Sequence, residues 1–289
     1  MNIAVASGKG GTGKTLVATS LTWLLEQRGK AVEYIDADVE APNGHLFLKP
    51  SIESRRRVST PVPTLGGRAC SGCGRCQQVC AFNAIVALPD GVMVFDELCH
   101  GCGACVMVCP VRSLTERPHE LGALEQGTVE SSRSRLRMAT LDVGEARATP
   151  LVDAVVAPSD RREQSSKIEI IDAPPGTSCS AMAAVRTSDL VLLVTEPTPF
   201  GVHDLDLALD MVSALGKRAL VVINRSDLGS DEVRRVLEGR GVEIVAEIPF
   251  LDDVAEAYAQ GRIAVRESSL LKAKLEPILD HMRAERRQP

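Results

Sequence analysis

Eight residues close to the start of the chain constrain its fold more than any other stretch: Gly8-Lys9-Gly10-Gly11-Thr12-Gly13-Lys14-Thr15. An apolar run at residues 3–6 precedes them and residues 16–21 continue with helical spacing, so the order is strand, glycine loop and helix. This is the setting of a phosphate-binding loop, where backbone N–H groups and the positive end of a helix converge on an anion. We predict that Lys14 reaches the β- and γ-phosphates and that the Thr15 hydroxyl ligates Mg²⁺. The alternative is a glycine turn formed by chance. The predicted nucleotide-binding residues of the loop are Gly8, Gly10, Gly11, Thr12, Gly13, Lys14 and Thr15.

A second lysine, Lys9, directly follows the first glycine of the loop. Lysine is not needed there to cradle phosphate, and the loop resembles the deviant Walker A signature of the MinD/ParA/nitrogenase-iron-protein superfamily. The resemblance implies that Lys9 reaches into the nucleotide site of a partner subunit, so that ATP favours a face-to-face homodimer. The alternative is a solvated loop lysine.

Aspartates follow two further apolar runs. Residues 31–35 lead to Asp36 and Asp38, and residues 168–171 end in Asp172. Ligands of open parallel sheets lie beyond the carboxyl ends of the strands, so these carboxylates are expected to face the phosphates. The same resemblance implies that Asp36 and Asp172 belong to the Mg²⁺ shell and that Asp38 orients the attacking water. A solvated turn is the alternative for each. The residues predicted to take part in hydrolysis are Lys9, Lys14, Asp38 and Asp172.

Two later strands supply candidate contacts to the base. The apolar run 219–223 ends at Asn224, which resembles the adenine-contacting asparagine of the superfamily, although a turn asparagine is an alternative. The strand expected at residues 243–248 leads to Pro249, which we also assign to the nucleotide site.

Eight of the nine cysteines form two runs with the same C-x₂-C-x₂-C-x₃-C spacing: Cys70, Cys73, Cys76 and Cys80, then Cys99, Cys102, Cys105 and Cys109. This is the spacing of bacterial ferredoxins. The resemblance implies two [4Fe–4S] clusters, each held by three cysteines of one run and the fourth of the other. Zinc is the rival ligand for C-x-x-C pairs. Residues 84–87 and 92–94 flank a turn sequence and are expected to form a hairpin.

Two residues near these motifs are predicted to have no direct role in the clusters or the nucleotide site. His100 is interpreted as an outer or exposed residue, because eight thiolates already complete two clusters. The ninth cysteine, Cys179, is predicted to be a buried small apolar residue, with a reactive thiol as the alternative.

The alternation of apolar strands and helices predicts an α/β fold with a mostly parallel sheet. We assign residues 1–61 and 119–289 to a P-loop ATPase domain and residues 62–118 to an inserted α+β ferredoxin-like domain. Within this plan, residues 44–61 are expected to form a connection and residues 127–130 and 136–141 short strands. Residues 145–156 and 269–283 are expected to form helices, and residues 159–167 an exposed polar segment.

The bulk properties argue against two classes of partner. A formal net charge of −5 leaves no broad basic surface for nucleic acid. No apolar run approaches a membrane span and no signal peptide precedes the glycine loop, so we expect a soluble, cytoplasmic protein.

The predicted function is an ATP-binding, Mg²⁺-dependent ATPase. Nucleotide-driven dimerisation and switch motion would be coupled to the iron–sulfur module, for electron transfer to a redox or iron–sulfur partner protein. One alternative is an iron–sulfur assembly ATPase of the Mrp type. Proteins of that type hold a labile cluster at a C-terminal C-x-x-C, and the lack of any cysteine after Cys179 argues against this alternative. The other is a positioning ATPase like ParA or MinD.

Overall fold

The computed structural model of the protein describes residues 1–130, 132–158 and 167–285, the last three of these as backbone only. The predicted polar segment at residues 159–167 therefore lies outside the described residues except for Lys167. The chain divides into two compact units. The first comprises Met1–Arg55, Leu124–Thr140 and Val152–Pro289, and the second comprises Arg56–Ala123 and Leu141–Leu151. The second unit contains the predicted insert, residues 62–118, together with flanking residues that the sequence pattern assigns to the ATPase domain.

The elements of the described chain are as follows. The strands are β1 (Asn2–Ala6), β2 (Val32–Asp36), β3 (Pro50–Leu65), β4 (Ile85–Leu88), β5 (Gly91–Val94), β6 (Leu114–Val129), β7 (Arg135–Leu141), β8 (Ile168–Asp172), β9 (Leu190–Thr195), β10 (Arg218–Asn224) and β11 (Glu243–Ile248). The helices are α1 (Lys14–Gln27), α2 (Gly44–Leu48), α3 (Arg75–Val79), α4 (Ala104–Met107), α5 (Ala148–Val156), α6 (Cys179–Arg186), α7 (Pro199–Ala214), α8 (Glu232–Arg240), α9 (Asp252–Ala259), α10 (Ser269–Leu275) and α11 (Ile278–Glu285).

A nine-stranded sheet has the order β11-β10-β9-β1-β8-β2-β7-β6-β3. The pairings from β11 through β7 are all parallel, which confirms the predicted α/β fold with a mostly parallel sheet. Strands β1, β2, β8 and β9 consist almost entirely of buried residues, as expected where both faces of a sheet are covered. Asp36 pairs with Asp172 at the carboxyl ends of β2 and β8, so the fold brings these two carboxylates side by side.

Three segments differ from the sequence prediction. Residues 44–61 were expected to form a connection, but they form α2 and most of the 16-residue β3. Strand β6 also has 16 residues and begins well before the predicted start at residue 127. Most of β3 is exposed, and the exposed residues of β6 lie mainly in its first half, so neither strand shows regular alternation of buried and exposed residues. The predicted helix 269–283 is two helices, because Pro277 has no N–H group to continue α10.

The second unit contains a small two-stranded sheet. Strands β4 and β5 pair antiparallel, with Ile85 opposite Val94, which confirms the predicted hairpin. Ile85, Leu114, Cys76 and Cys105 pack together as a buried cluster. Cysteine side chains thus form part of this unit's core.

Among the described residues, no helix combines the length and the apolar character that crossing a membrane requires.

Candidate functional site

The glycine loop joins β1 to α1, in the order that the sequence predicts. Gly13, directly before α1, has φ 99°, and Gly11 has φ 80°, a region that favours glycine. The side-chain amide of Asn224, at the end of β10, donates to the Thr12 carbonyl oxygen at 2.9 Å. A Cβ atom on Gly13 would lie 2.5 Å from that amide nitrogen. Asn224 therefore holds the loop in place from β10, two strands away from β1 in the sheet.

Asp172 holds the centre of the site. The hydroxyls of Thr15 and Tyr34 both donate to its Oδ2 atom, each at 2.7 Å. Its other oxygen, Oδ1, is buried and has no partner among the described residues. A buried carboxylate oxygen without a donor, beside a threonine hydroxyl, fits the oxygen ligands that hydrated Mg²⁺ takes in proteins. Sequence reasoning missed Tyr34, whose only signal was a hydroxyl two residues before Asp36 on the same strand.

Asp36 has a different set of contacts. Its Oδ2 accepts from the backbone N–H groups of Asn43 (3.0 Å) and Gly44 (2.8 Å), and its Oδ1 accepts from that of Asp38 at 3.3 Å. The fully buried Asp36 carboxylate thus orders the loop that carries Asp38. The role predicted for it as an Mg²⁺ ligand stays a prediction.

The site brings the carboxylates of Asp36, Asp38 and Asp172 together with the buried ammonium group of Lys14. Burial raises the pKa of Asp36 and of Asp172, and the charge of Asp172 raises that of Asp36 further. Burial also raises the pKa of Asp38. Burial lowers the pKa of the Lys14 ammonium group, while the charges of Asp172 and Asp38 oppose that shift. A divalent cation bound here would stabilise the ionised carboxylates.

A cavity of about 440 Å³ opens beside the loop, within the size range of small-molecule sites. Of the predicted residues, it is lined by Gly10, Gly11, Gly13, Lys14, Thr15, Asp38, Asn224 and Pro249. Sequence reasoning missed the other residues that line it, among them Arg225, Phe250, Leu251 and Tyr258. Phe250 is 46% exposed, and its position next to Pro249 was the available signal. Arg225 has φ 50°, an uncommon backbone conformation for a non-glycine residue that suggests a functional constraint.

The other predicted residues of the nucleotide site do not line this cavity: Gly8, Lys9, Thr12, Asp36 and Asp172. Gly8 packs on α7, since a Cβ atom there would lie 2.0 Å from the Asp204 carbonyl oxygen. Lys9 lies against Glu196 and Thr198 of its own chain.

The eight cysteines of the two runs surround two cavities in the second unit. Cys70, Cys73, Cys76 and Cys109 line one, and Cys80, Cys99, Cys102 and Cys105 line the other. Each cavity therefore takes three thiols from one run and the fourth from the other. None of these cysteines is in a disulfide.

The spacing of these thiols bears on what they could hold. In the described part of the chain, no three cysteine, histidine or carboxylate side chains converge on a point as a mononuclear metal site requires. Zinc needs sulfur ligands about 2.3 Å from one centre, whereas a cubane cluster carries its four thiolates on separate iron atoms. The four thiols around each cavity suit the cluster better.

The remaining two predictions have mixed outcomes. His100 was interpreted as an outer or exposed residue, and it is exposed. Its ring stacks on that of Phe82, with the centroids 3.7 Å apart. Cys179 is exposed, so the prediction of a buried apolar residue is wrong. It begins α6 directly after the capping residue Ser178, and a helix start beyond a sheet is open to solvent.

Comparison with known proteins gives one family match and several full-length matches. A family model described as the CobQ/CobB/MinD/ParA nucleotide binding domain matches residues 3–265. An uncharacterized protein of Methanocaldococcus jannaschii is 28% identical over 284 residues, covering 98% of this chain and 96% of that protein. The structure of the septum site-determining protein MinD complexed with Mg-ADP, from Pyrococcus horikoshii, superposes with a TM-score of 0.59 at 18% identity. That superposition covers 97% of this chain and 95% of the other. An iron–sulfur cluster carrier protein of Synechocystis is 48% identical over 46 residues, which is 16% of this chain and 13% of that protein.

Proposed function

The chain belongs to the CobQ/CobB/MinD/ParA family of nucleotide-binding proteins, and on that premise we propose that it couples an ATP-driven switch to two [4Fe–4S] clusters. The coarse activity follows from the family: the protein is a P-loop ATPase of the MinD/ParA type. The proposal concerns what this activity serves. The observation that carries it is the pair of cavities, each lined by four free thiols drawn from both cysteine runs.

In the ATPase unit, ATP occupies the cavity beside the glycine loop. Lys14 neutralises the phosphates, the Thr15 hydroxyl and Asp172 hold the hydrated Mg²⁺, and Asp38 orients the attacking water. Mg²⁺, when bound, supplies the charge that offsets the phosphate oxygens. The unpartnered Oδ1 atom of Asp172 supports this assignment, as does the Mg-ADP complex of the MinD structure.

Two loops next to the site would carry the switch. The Gly176 N–H group donates to the Ser7 carbonyl oxygen at 3.0 Å, which holds the loop after β8 against the glycine loop. Gly176 has φ 86°, and we assign it as the hinge of that loop. The Asp36 carboxylate ties down the other loop through Asn43 and Gly44. Loss of the γ-phosphate would release these loops, as in other nucleotide switches. Lys9 would act from the partner subunit of an ATP-bound homodimer.

In the second unit, each four-thiol cavity would hold one cubane cluster as a one-electron carrier. Cys70, Cys73, Cys76 and Cys109 would ligate one cluster, and Cys80, Cys99, Cys102 and Cys105 the other. The reaction we propose for this unit is the transfer of single electrons to a partner protein when the nucleotide state changes.

The comparisons support two other functions better than they support electron transfer. The match to an iron–sulfur cluster carrier favours a role in which clusters are handed on. The likeness to MinD along 97% of the chain favours a positioning ATPase. The proposal of electron transfer depends on the eight free thiols that line the two cavities, four to each.

Anaerobic purification of the full chain separates these three functions. For electron transfer we expect about eight iron atoms per chain, and clusters that are reduced by dithionite, reoxidised by an acceptor and retained throughout. Release of iron to an apo-ferredoxin on ATP addition would instead support a carrier. ATP-dependent binding to lipid vesicles or DNA would support positioning. Cys76→Ser should lose one cluster, and the matched Cys179→Ser variant should keep both.

A further inference from the structure

The two cysteine runs fold as near copies, 29 residues apart in sequence (Cys70 to Cys99). Gly74 and Gly103 both begin a short helix with φ 72° and ψ −3°. Gly72 and Gly101 have φ 64° and 65°. The same backbone path at corresponding positions gives the two cavities the same frame.

The hydrogen bonds to sulfur also repeat. The N–H groups of Gly72 and Gly101 donate to the sulfur atoms of Cys70 and Cys99, both at 3.5 Å. Four residues after the last cysteine of each run, the N–H groups of Ala84 and Ser113 donate to Cys80 and Cys109, both at 3.3 Å. On these contacts alone, the two cavities would be equivalent.

Two hydroxyl groups break the equivalence, and both lie beside the cavity that Cys109 lines: the Ser71 hydroxyl hydrogen-bonds to the Cys73 sulfur, and Ser113 lies next to Cys109 itself. The Ser113 Oγ atom lies 3.4 Å from the Cys109 sulfur, whereas the corresponding Ala84 has no hydroxyl. Both positions are buried, with Ser113 1% and Ala84 3% exposed. A thiolate has no proton, so in the ligating state the hydroxyl donates and the sulfur accepts. Cys109 thus receives a second donor that Cys80 lacks.

We propose that the Ser113 hydroxyl makes the cluster at Cys70, Cys73, Cys76 and Cys109 easier to reduce than its counterpart, and so directs a single electron there. Hydrogen bonds to ligating sulfur draw electron density away from the cluster and stabilise its reduced, more negative state. The inference rests on the proposed function, since it presupposes that both clusters are bound.

The charged groups near the other cavity do not cancel this difference. The Arg147 guanidinium donates to the Cys99 carbonyl oxygen at 2.9 Å, which would favour reduction of that cluster. However, Glu145 accepts from Arg147 through Nε and Nη2, both at 2.8 Å, and so compensates its charge.

The test is a potentiometric titration, monitored by electron paramagnetic resonance, of the full anaerobic chain and three variants. Ser113→Ala should lower the potential of one cluster by about 59 mV, a tenfold change in its one-electron reduction equilibrium. Ala84→Ser should raise the potential of the other cluster. Ser113→Thr retains a hydroxyl and should keep the wild-type potentials.

The outcomes distinguish the inference from the function on which it rests. Unchanged potentials in Ser113→Ala, or equal shifts of both clusters, at full iron content would overturn the role of Ser113 and leave the clusters in place. Wild-type protein without iron would overturn the proposed function itself. If Ala84→Ser fails to bind iron because Ala84 is tightly packed, the comparison of Ser113→Ala with Ser113→Thr still decides.

Discussion

Lys9 and Glu196 form an ion pair within one chain, with the lysine Nζ 3.7 Å from a carboxylate oxygen. The ammonium group also donates to the Thr198 hydroxyl at 3.4 Å, and Glu196 accepts from Arg225 at 2.6 Å. In the proposed ATP-bound homodimer, Lys9 has to leave these partners to reach the nucleotide of the other subunit. The pair therefore opposes closure of the dimer.

Glu196→Gln should strengthen ATP-dependent dimerisation, because it removes the charge that retains Lys9. A partly exposed ion pair is worth about 0.2–1 kcal/mol and each subunit of the dimer loses one, so the dimer dissociation constant should fall by at most about thirtyfold. Sedimentation with and without ATP measures the change. Glu247→Gln breaks an ion pair with Arg234 outside the nucleotide cavity and is the matched control. Dimerisation that is unchanged or weaker in Glu196→Gln would contradict the prediction. Lys9→Ala should weaken ATP-dependent dimerisation.

Lys14→Ala should abolish ATP hydrolysis, because no other lysine lines the cavity among the described residues. Iron content should stay near that of the wild type, since all eight thiols that line the second unit's cavities are untouched. Phosphate release and an iron assay on the same preparation check both halves. Loss of iron together with activity would mean that the two units do not fold independently.

Tyr34→Phe should weaken the site for Mg²⁺. When Thr15 turns to the metal, the Tyr34 hydroxyl is the remaining side-chain donor to Asp172 Oδ2. A hydrogen bond to a charged group contributes about 1.5–3 kcal/mol, so half-maximal hydrolysis should need about ten- to a hundredfold more Mg²⁺. Nucleotide affinity measured without Mg²⁺ is the control and should not change. An equal loss with and without Mg²⁺ would point to a structural role alone.

The stability of the nucleotide-free protein should fall as pH rises from about 5 to 8. Burial raises the pKa of Asp36 and of Asp172 above 3.8, so the folded state binds these protons more tightly than the unfolded chain. Ionising the two carboxylates in the fold is therefore unfavourable, and the free energy of unfolding decreases through that range. Thermal unfolding followed across the pH range measures it.

Asp172→Asn is the matched variant for this pH dependence. It removes one charge while its oxygen still accepts from Thr15 and Tyr34. We expect a flatter pH profile and a higher melting temperature at pH 7.5, together with loss of Mg²⁺-dependent hydrolysis. Functional sites commonly lower stability in this way. A melting temperature that falls at neutral pH would contradict the idea that the carboxylates repel.

Local spacing was sufficient to predict much of the site. The glycine loop, the aspartates that end β2 and β8, and the β4–β5 hairpin depend on neighbours a few residues apart, so a short window of sequence contains their signal. Residues 50–65 were missed because β3 is largely exposed and lacks the apolar alternation by which strands are found. Cys179 was misjudged because exposure depends on the position of α6 in the fold.

The sequence alone determined the chemistry that the chain can offer: a loop for phosphate, carboxylates for a divalent cation, and eight thiols in two equal runs. Only the tertiary structure decided which groups meet. It brings Tyr34 to Asp172 and Glu196 to Lys9. It also places Ser113 beside Cys109, whose three partner cysteines belong to the other run. The physical reason is that hydrogen bonds, ion pairs and burial act through space, whereas a motif records only distance along the chain.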